Sequence, residues 1–297
     1  MRRMKKALLV CLIVLAVVST SLLVYIGSGN GAWLVQTSYL QSTDQLYIME
    51  TGILYNERVF QPGQNLKIKY EFNNEEYAGL LNKYDLAEQA GDGSEFEKAL
   101  ALMDEYSGRL YHESYYDNHI DLNAMDLLDY SLDNRKKGIN CRAKAQILNE
   151  MCLALGIYSR KLWINPNSVY DQECHVVNEV WDSALKKWVM LDITNNFYWV
   201  DGNGTPLSVL EIRDHLADQE FCTPVAPDDD LKNLESSRKR NYDNLLYIAK
   251  NMAYMYYCVE NTVGESDEYF FLIPKAWEED GNITCISREA IEKSPAE

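Results

Sequence analysis

One stretch of the chain, Gly138 to Asn195, holds a cysteine, a histidine and an aspartate whose types fit a thiol nucleophile, its base and the group that orients the base: Cys141, His175 and Asp192. Such a set attacks a carbonyl carbon with sulfur and moves the released proton through an imidazole. Taken singly, each residue has a plainer reading, because a cysteine in an amphipathic helix is usually a small buried hydrophobe. The local sequence around each decides whether the three can meet.

Around the cysteine, Gly138 and Asn140 break and cap the chain, and Ala145, Leu148, Met151, Cys152 and Leu155 recur at helical spacing until Gly156 supplies a stop. Cys141 then sits in the first turn. Unpaired backbone N–H groups and the positive end of the helix dipole converge there, favouring a thiolate and offering a donor to an oxyanion.

From His175 the residues alternate as a half-buried strand requires, with His175, Val177, Glu179 and Trp181 on one face and Val176, Asn178 and Val180 on the other. Trp188, Met190 and Asp192 form the matching face of a second strand across the turn Asp182–Lys187. Pairing Trp181 with Trp188 puts Asp192 opposite Val177 and diagonal to His175, roughly 7–8 Å away, within side-chain reach. The same alternation sends Cys174 away from the site, so it is not read as a second nucleophile. Trp181 reads as core packing, and Glu179 as either a solvated residue or a contact for substrate or Arg142.

The segments G-I-N-C-R-A-K-A-Q-I-L-N-E-M-C-L-A-L-G-I-Y-S-R, C-H-V-V-N-E-V-W-D and K-K-W-V-M-L-D-I-T resemble the core of the transglutaminase-like superfamily, over roughly residues 95–200. The resemblance implies a papain-like α+β core in which a nucleophile helix packs on an antiparallel sheet. It implies Cys141 as nucleophile, His175 as general base and acid, and Asp192 as orienter, forming a thioacyl intermediate on a protein or peptide amide. Papain-like enzymes share the chain order but usually carry Asn third. Hydrolysis is slightly favoured over amine transfer, and a catalytically silent binding or scaffolding module is the competing reading. Relatives often place an aromatic or amide side chain upstream of the cysteine to complete the oxyanion hole. Here Tyr111, Tyr115, Tyr116, Tyr130 and Gln89 are candidates with no spacing argument to select one. Many relatives also carry Ala-Trp after the histidine, where this chain has Val176-Val177.

Arg2, Arg3, Lys5 and Lys6 precede an uncharged apolar run, Ala7 to Ile26, of twenty residues. That is the layout of a signal anchor or long secretory signal. The positive flank stays in the cytoplasm, so the expectation is a single-pass membrane protein with the catalytic region outside, or a secreted one if the run is cleaved. The net charge of −17 repels nucleic acid and anionic headgroups. The expected partners are therefore a protein or peptide substrate and the membrane through the N-terminal segment, with no nucleic acid. Seven cysteines are irregularly spaced; if Cys141 is free, an odd number remains beyond Cys11, and no pair has zinc-site spacing. No cofactor or metal is expected, and Asp201-Gly-Asn-Gly204 reads as a hairpin turn between Phe197–Val200 and Thr205–Leu210 rather than a calcium loop.

The expected organisation is a signal anchor or signal peptide at 1–30, a small β-rich region at 31–75 drawing on Leu46–Glu50 and Leu66–Phe72, a core at 76–222 that opens with helices, and a C-terminal α/β extension at 223–297. Within that extension the pattern predicts a helix at Tyr242–Glu260 and a strand at Tyr269–Ile273.

Overall fold

The computed structural model describes residues 2–27, 45–134, 137–168, 170–277 and 281–296. It divides into two compact units, Met1–Met49 and Glu50–Glu297. The first holds helix α1, Arg2–Gly27, with exposed side chains from 11 to 25. Among the described residues no helix is long and apolar enough to cross a membrane. The expected span Ala7–Ile26 falls in α1, but the side chains of residues 7–10 and 26 lie outside the described residues, so a transmembrane part is not shown.

The core helix α7, Cys141–Ala154, forms because the Asn140 side chain accepts a hydrogen bond from the Ala143 N–H at 3.0 Å and Gly156, at φ +75°, ends it. It packs on a sheet built from β2 (Ser159–Asn165), β3 (His175–Asp182), β4 (Lys187–Asp192), β5 (Phe197–Asp201), β6 (Cys222–Val225), β7 (Tyr254–Cys258), β9 (Tyr269–Leu272) and β10 (Thr284–Cys285), in the order β10-β9-β7-β2-β3-β4-β5-β6. All neighbours are antiparallel except β10 and β9. Trp181 pairs with Trp188, the register that the alternation requires. Val180, Val189 and Leu191 face the layer of α7 and the helices before it: α3 (Glu75–Lys83), α4 (Leu86–Ala90), α5 (Glu95–Ser107) and α6 (Ala124–Asp133). The opposite face carries Glu179, which is buried and bonded twice by Arg160 and once by the Val209 N–H that opens helix α8, Val209–Ala217. Glu179 therefore touches neither solvent nor Arg142, correcting both readings offered for it.

Three local expectations change. Leu46–Glu50 lies in helix α2, Gln45–Asn56, not in a strand, and the β structure of the 66–72 segment is the two-residue strand β1, Lys69–Tyr70, paired with β8, Glu260–Asn261. The turn after Asp201 does fold back, Asp201 N–H donating to the Thr205 carbonyl at 3.0 Å, but the return stops at Leu207 because Ser208 caps α8. The helix expected at Tyr242–Glu260 ends at Lys250. This α10, Tyr242–Lys250, follows the short α9, Leu234–Arg240, and a last helix, α11, spans Arg288–Glu292. The aromatic run from Tyr254 becomes β7, which enters the sheet between β2 and β9. The region 223–297 thus extends the core sheet.

Candidate active site

Cys141 is the first residue of α7, so its own N–H is one of the donors that the helix cannot bond internally. His175 opens β3 beside that helix end, and Asp192 closes β4. The imidazole Nε2 lies 2.8 Å from Asp192 Oδ2. Its other ring nitrogen is left for Cys141, which lines the same cleft and whose charge is felt by the imidazole. Asp192 is fixed in turn: Oδ1 accepts from the N–H groups of Thr194 and Asn195 at 3.0 and 3.2 Å, and Oδ2 from the Asn195 side-chain amide at 2.8 Å. Tyr247 of α10 sets its ring edge-on to the imidazole, centroids 5.5 Å apart. The structure therefore brings Cys141, His175 and Asp192 together in one place, Cys141 and His175 on the same cleft and Asp192 bonded to His175.

Burial alone would lower the His175 pKa, but the charge and hydrogen bond of Asp192, with Cys141, outweigh it and raise it to about 10. Burial would likewise push the Cys141 thiol up, yet the hydrogen bond and charge of His175 and the Val176 N–H hold it below the ordinary value. Asp192 is depressed because His175 overcomes its burial. The directions favour negative charge on Cys141 and positive charge on His175.

Cys141 and His175 line an open cleft of about 870 Å³, with Asp192 bonded to His175, and the lining includes His112, Ser114, Tyr115, Trp163, Cys174 and Tyr247. Trp163 stacks on Tyr256 at 4.8 Å and meets Tyr269 edge-on. Cys174 is exposed on the cleft wall, which corrects its placement away from the site: it precedes the first residue of β3, so strand alternation does not govern it. Of the five upstream side chains considered as oxyanion donors, only Tyr115 lines the cleft. Tyr116 packs with Tyr130 and accepts the Ile120 N–H at 3.2 Å.

Two residues escaped the sequence reading. His112 reaches the cleft because its segment runs beside Ile139, with Ile139 N–H donating to the Tyr111 carbonyl and Glu113 N–H to the Ile139 carbonyl, both at 3.0 Å. Gly138 permits that approach, since a Cβ there would lie 2.5 Å from the Glu113 Cβ. The His112 Nε2 lies 3.0 Å from Ser114 Oγ, and its buried Nδ1 has no hydrogen-bond partner among the described residues. Lys144, one turn after Cys141, is 1% exposed. Neither spacing nor residue type in the sequence marks either one as part of the site.

Each described cysteine is a free thiol, and among the described residues no group of three His, Cys, Asp or Glu side chains could hold a metal ion. No curated protein matches the chain. Two solved structures are similar in part. One is a proposed cysteine protease from Cytophaga hutchinsonii, 18% identical over 50% of this chain and 47% of its own, with a TM-score of 0.31. The other is a proposed protease from Parabacteroides distasonis ATCC 8503, 16% identical over 46% of this chain and 28% of its own, with a TM-score of 0.28. The match therefore spans less than half the length of either solved chain. The model of the Transglutaminase-like superfamily matches residues 84–193, a segment that includes Cys141, His175 and Asp192. By that match residues 84–193 are similar to the core of the transglutaminase-like superfamily.

Proposed function

We propose that the chain is a cysteine enzyme that forms a thioacyl intermediate on a protein or peptide amide and passes the acyl group mainly to water. The observation that carries this reading is Cys141 and His175 side by side on an open cleft, with Asp192 bonded to the imidazole. The family-model match over residues 84–193 supports a cysteine hydrolase or acyltransferase in general.

In the proposed reaction the Cys141 thiolate adds to the amide carbonyl carbon, and the oxygen takes up the negative charge. The Cys141 N–H at the helix start is one donor to that oxyanion, and His112 Nδ1–H, with Nε2 accepting the Ser114 hydroxyl, is the second. The imidazolium of His175 then protonates the departing amine as the C–N bond breaks, leaving a thioester. Water, deprotonated by the now neutral His175, adds to the thioester, and the thiolate leaves as the acid forms. Asp192 keeps the ring in place and stabilises its charge in both halves. An amine in place of water would give cross-linking instead. The cleft is open to solvent, so water is at hand for the second step.

The apolar run of α1 supports a single-pass anchor with the catalytic unit outside the cytoplasm, which remains part of this proposal. The test is a competition in the full chain: a glutamine-containing peptide library with a labelled primary amine, products resolved by mass spectrometry. Release of acid faster than amine incorporation fits hydrolysis. Faster incorporation would make it a cross-linker, and neither product with an unreactive Cys141 would make it a binding module.

A further inference from the structure

Lys144 has no place in the reaction just described, and its setting is costly. It lies one turn along α7 from Cys141 and is 1% exposed; its backbone N–H donates to the Asn140 carbonyl at 3.1 Å, but its side chain makes no hydrogen bond or ion pair among the described residues. Every other charged or polar side chain buried along α7 has a partner: Gln146 donates to Glu150 at 2.7 Å and to the Gly264 carbonyl at 2.7 Å, Glu150 accepts the Gly264 N–H at 3.1 Å, and Asn149 donates to Asn261 at 3.4 Å. A buried ammonium without an acceptor works against folding. The titratable groups facing it are Cys141 on its own helix, Asp192 from β4 and His112 from the segment beside Ile139, with His175 bonded to Asp192.

We propose that Lys144 is a positioning residue whose buried ammonium holds negative charge on the Cys141 sulfur, acting through the field it places under the thiolate and not through contact with substrate. The inference rests on the acyl-transfer reading of Cys141, His175 and Asp192, and gives a reason for keeping a lysine that stability disfavours. Burial pushes the Lys144 pKa down to about 8, against the pull of Asp192 and Cys141, so the charge is present at neutral pH and lost above it. The folded state therefore carries a penalty below pH 8 that fades as the pH rises toward the unfolded value.

The experiment measures the rate of Cys141 alkylation by iodoacetamide from pH 4 to 10, by peptide mass spectrometry, in the wild type, Lys144→Met and His175→Ala, together with melting temperatures at pH 6. Lys144→Met is expected to move the acid limb of the profile up by about one unit or more, slowing alkylation at pH 6 by about tenfold. It is also expected to melt at a temperature equal to or above the wild type. A structural role would give the opposite pair, a lower melting temperature or failure to fold, and overturns the proposal. So does an acid limb that stays in place in Lys144→Met while His175→Ala shifts it, a result that leaves the triad reading standing. Ordinary thiol behaviour in the wild type, unchanged by His175→Ala, sinks both.

Discussion

Replacing Asp192 by Asn keeps the side chain's shape and removes the negative charge bonded to His175. Its Oδ1 can still accept the Thr194 and Asn195 N–H groups, so the turn after β4 keeps two of its bonds. What changes is the imidazole. With an amide nitrogen opposite Nε2, the ring is forced to accept there and to carry its proton on the nitrogen facing Cys141, the wrong tautomer for a base. The His175 pKa is raised from 6.5 to about 10 by Asp192 and Cys141 against burial. A hydrogen bond between charged partners such as this one is worth up to about 3 kcal/mol. Without it, burial returns His175 to the neutral form at pH 7 and the Cys141 thiol rises. Alkylation of Cys141 at pH 7 should then fall by about a hundredfold, with circular dichroism unchanged. A rate within about threefold of the wild type would refute the argument, because it would mean that the thiolate does not depend on the charge relayed from Asp192 through His175.

Three further outcomes follow from the same contacts. Asn140→Ala removes the cap on α7 and should cost about 1 kcal/mol in chemical denaturation, while slowing acylation because Cys141 is the next residue. Glu179→Ala leaves Arg160 buried without its carboxylate partner and should cost about 3–5 kcal/mol, far more than truncating an exposed ion pair such as Arg109–Glu105. Glu150 is raised from 4.5 to about 7 by burial, so the folded state holds its proton longer than the unfolded one and loses stability as the pH climbs between those values. Glu150→Gln should thus be near neutral at pH 4 and stabilising by at most about 3 kcal/mol at pH 8, in paired denaturation curves; an equal effect at both pH values would contradict the sign.

The nucleophile helix and the pairing of β3 with β4 were legible because both obey short-range rules. Asn140 and Gly156 bound a helical period, and the two tryptophans, Trp181 and Trp188, fix a register in a strand pair whose inward face is apolar. From that register the approach of Asp192 to His175 follows by geometry alone. The failures come where the pattern is shared by two structures or where partners are distant. Tyr242–Glu260 is rich in apolar and aromatic residues along its whole length, and a run of this kind does not distinguish a buried helix from a helix followed by a central strand; the break at Asn251 has no proline or glycine to announce it. Leu46–Glu50 alternates yet forms helix. The polar residues of α7 look like a solvated face in the sequence, whereas the structure buries Lys144, Gln146, Asn149 and Glu150, most of them satisfied by residues 261–265, more than a hundred positions away. His112 reaches the cleft through backbone bonds to Ile139, an arrangement no local spacing encodes.

The central claim is a covalent acyl-enzyme on Cys141. The most direct measurement is the intact mass and nitrophenol burst of the full chain mixed with p-nitrophenyl esters of N-acyl amino acids, in the wild type, Cys141→Ser and His175→Ala. The account predicts a burst approaching one equivalent per chain and an acyl mass on the peptide bearing Cys141 in the wild type, absent in Cys141→Ser and strongly reduced in His175→Ala. No adduct on Cys141, or an adduct that forms equally fast without His175, would contradict it.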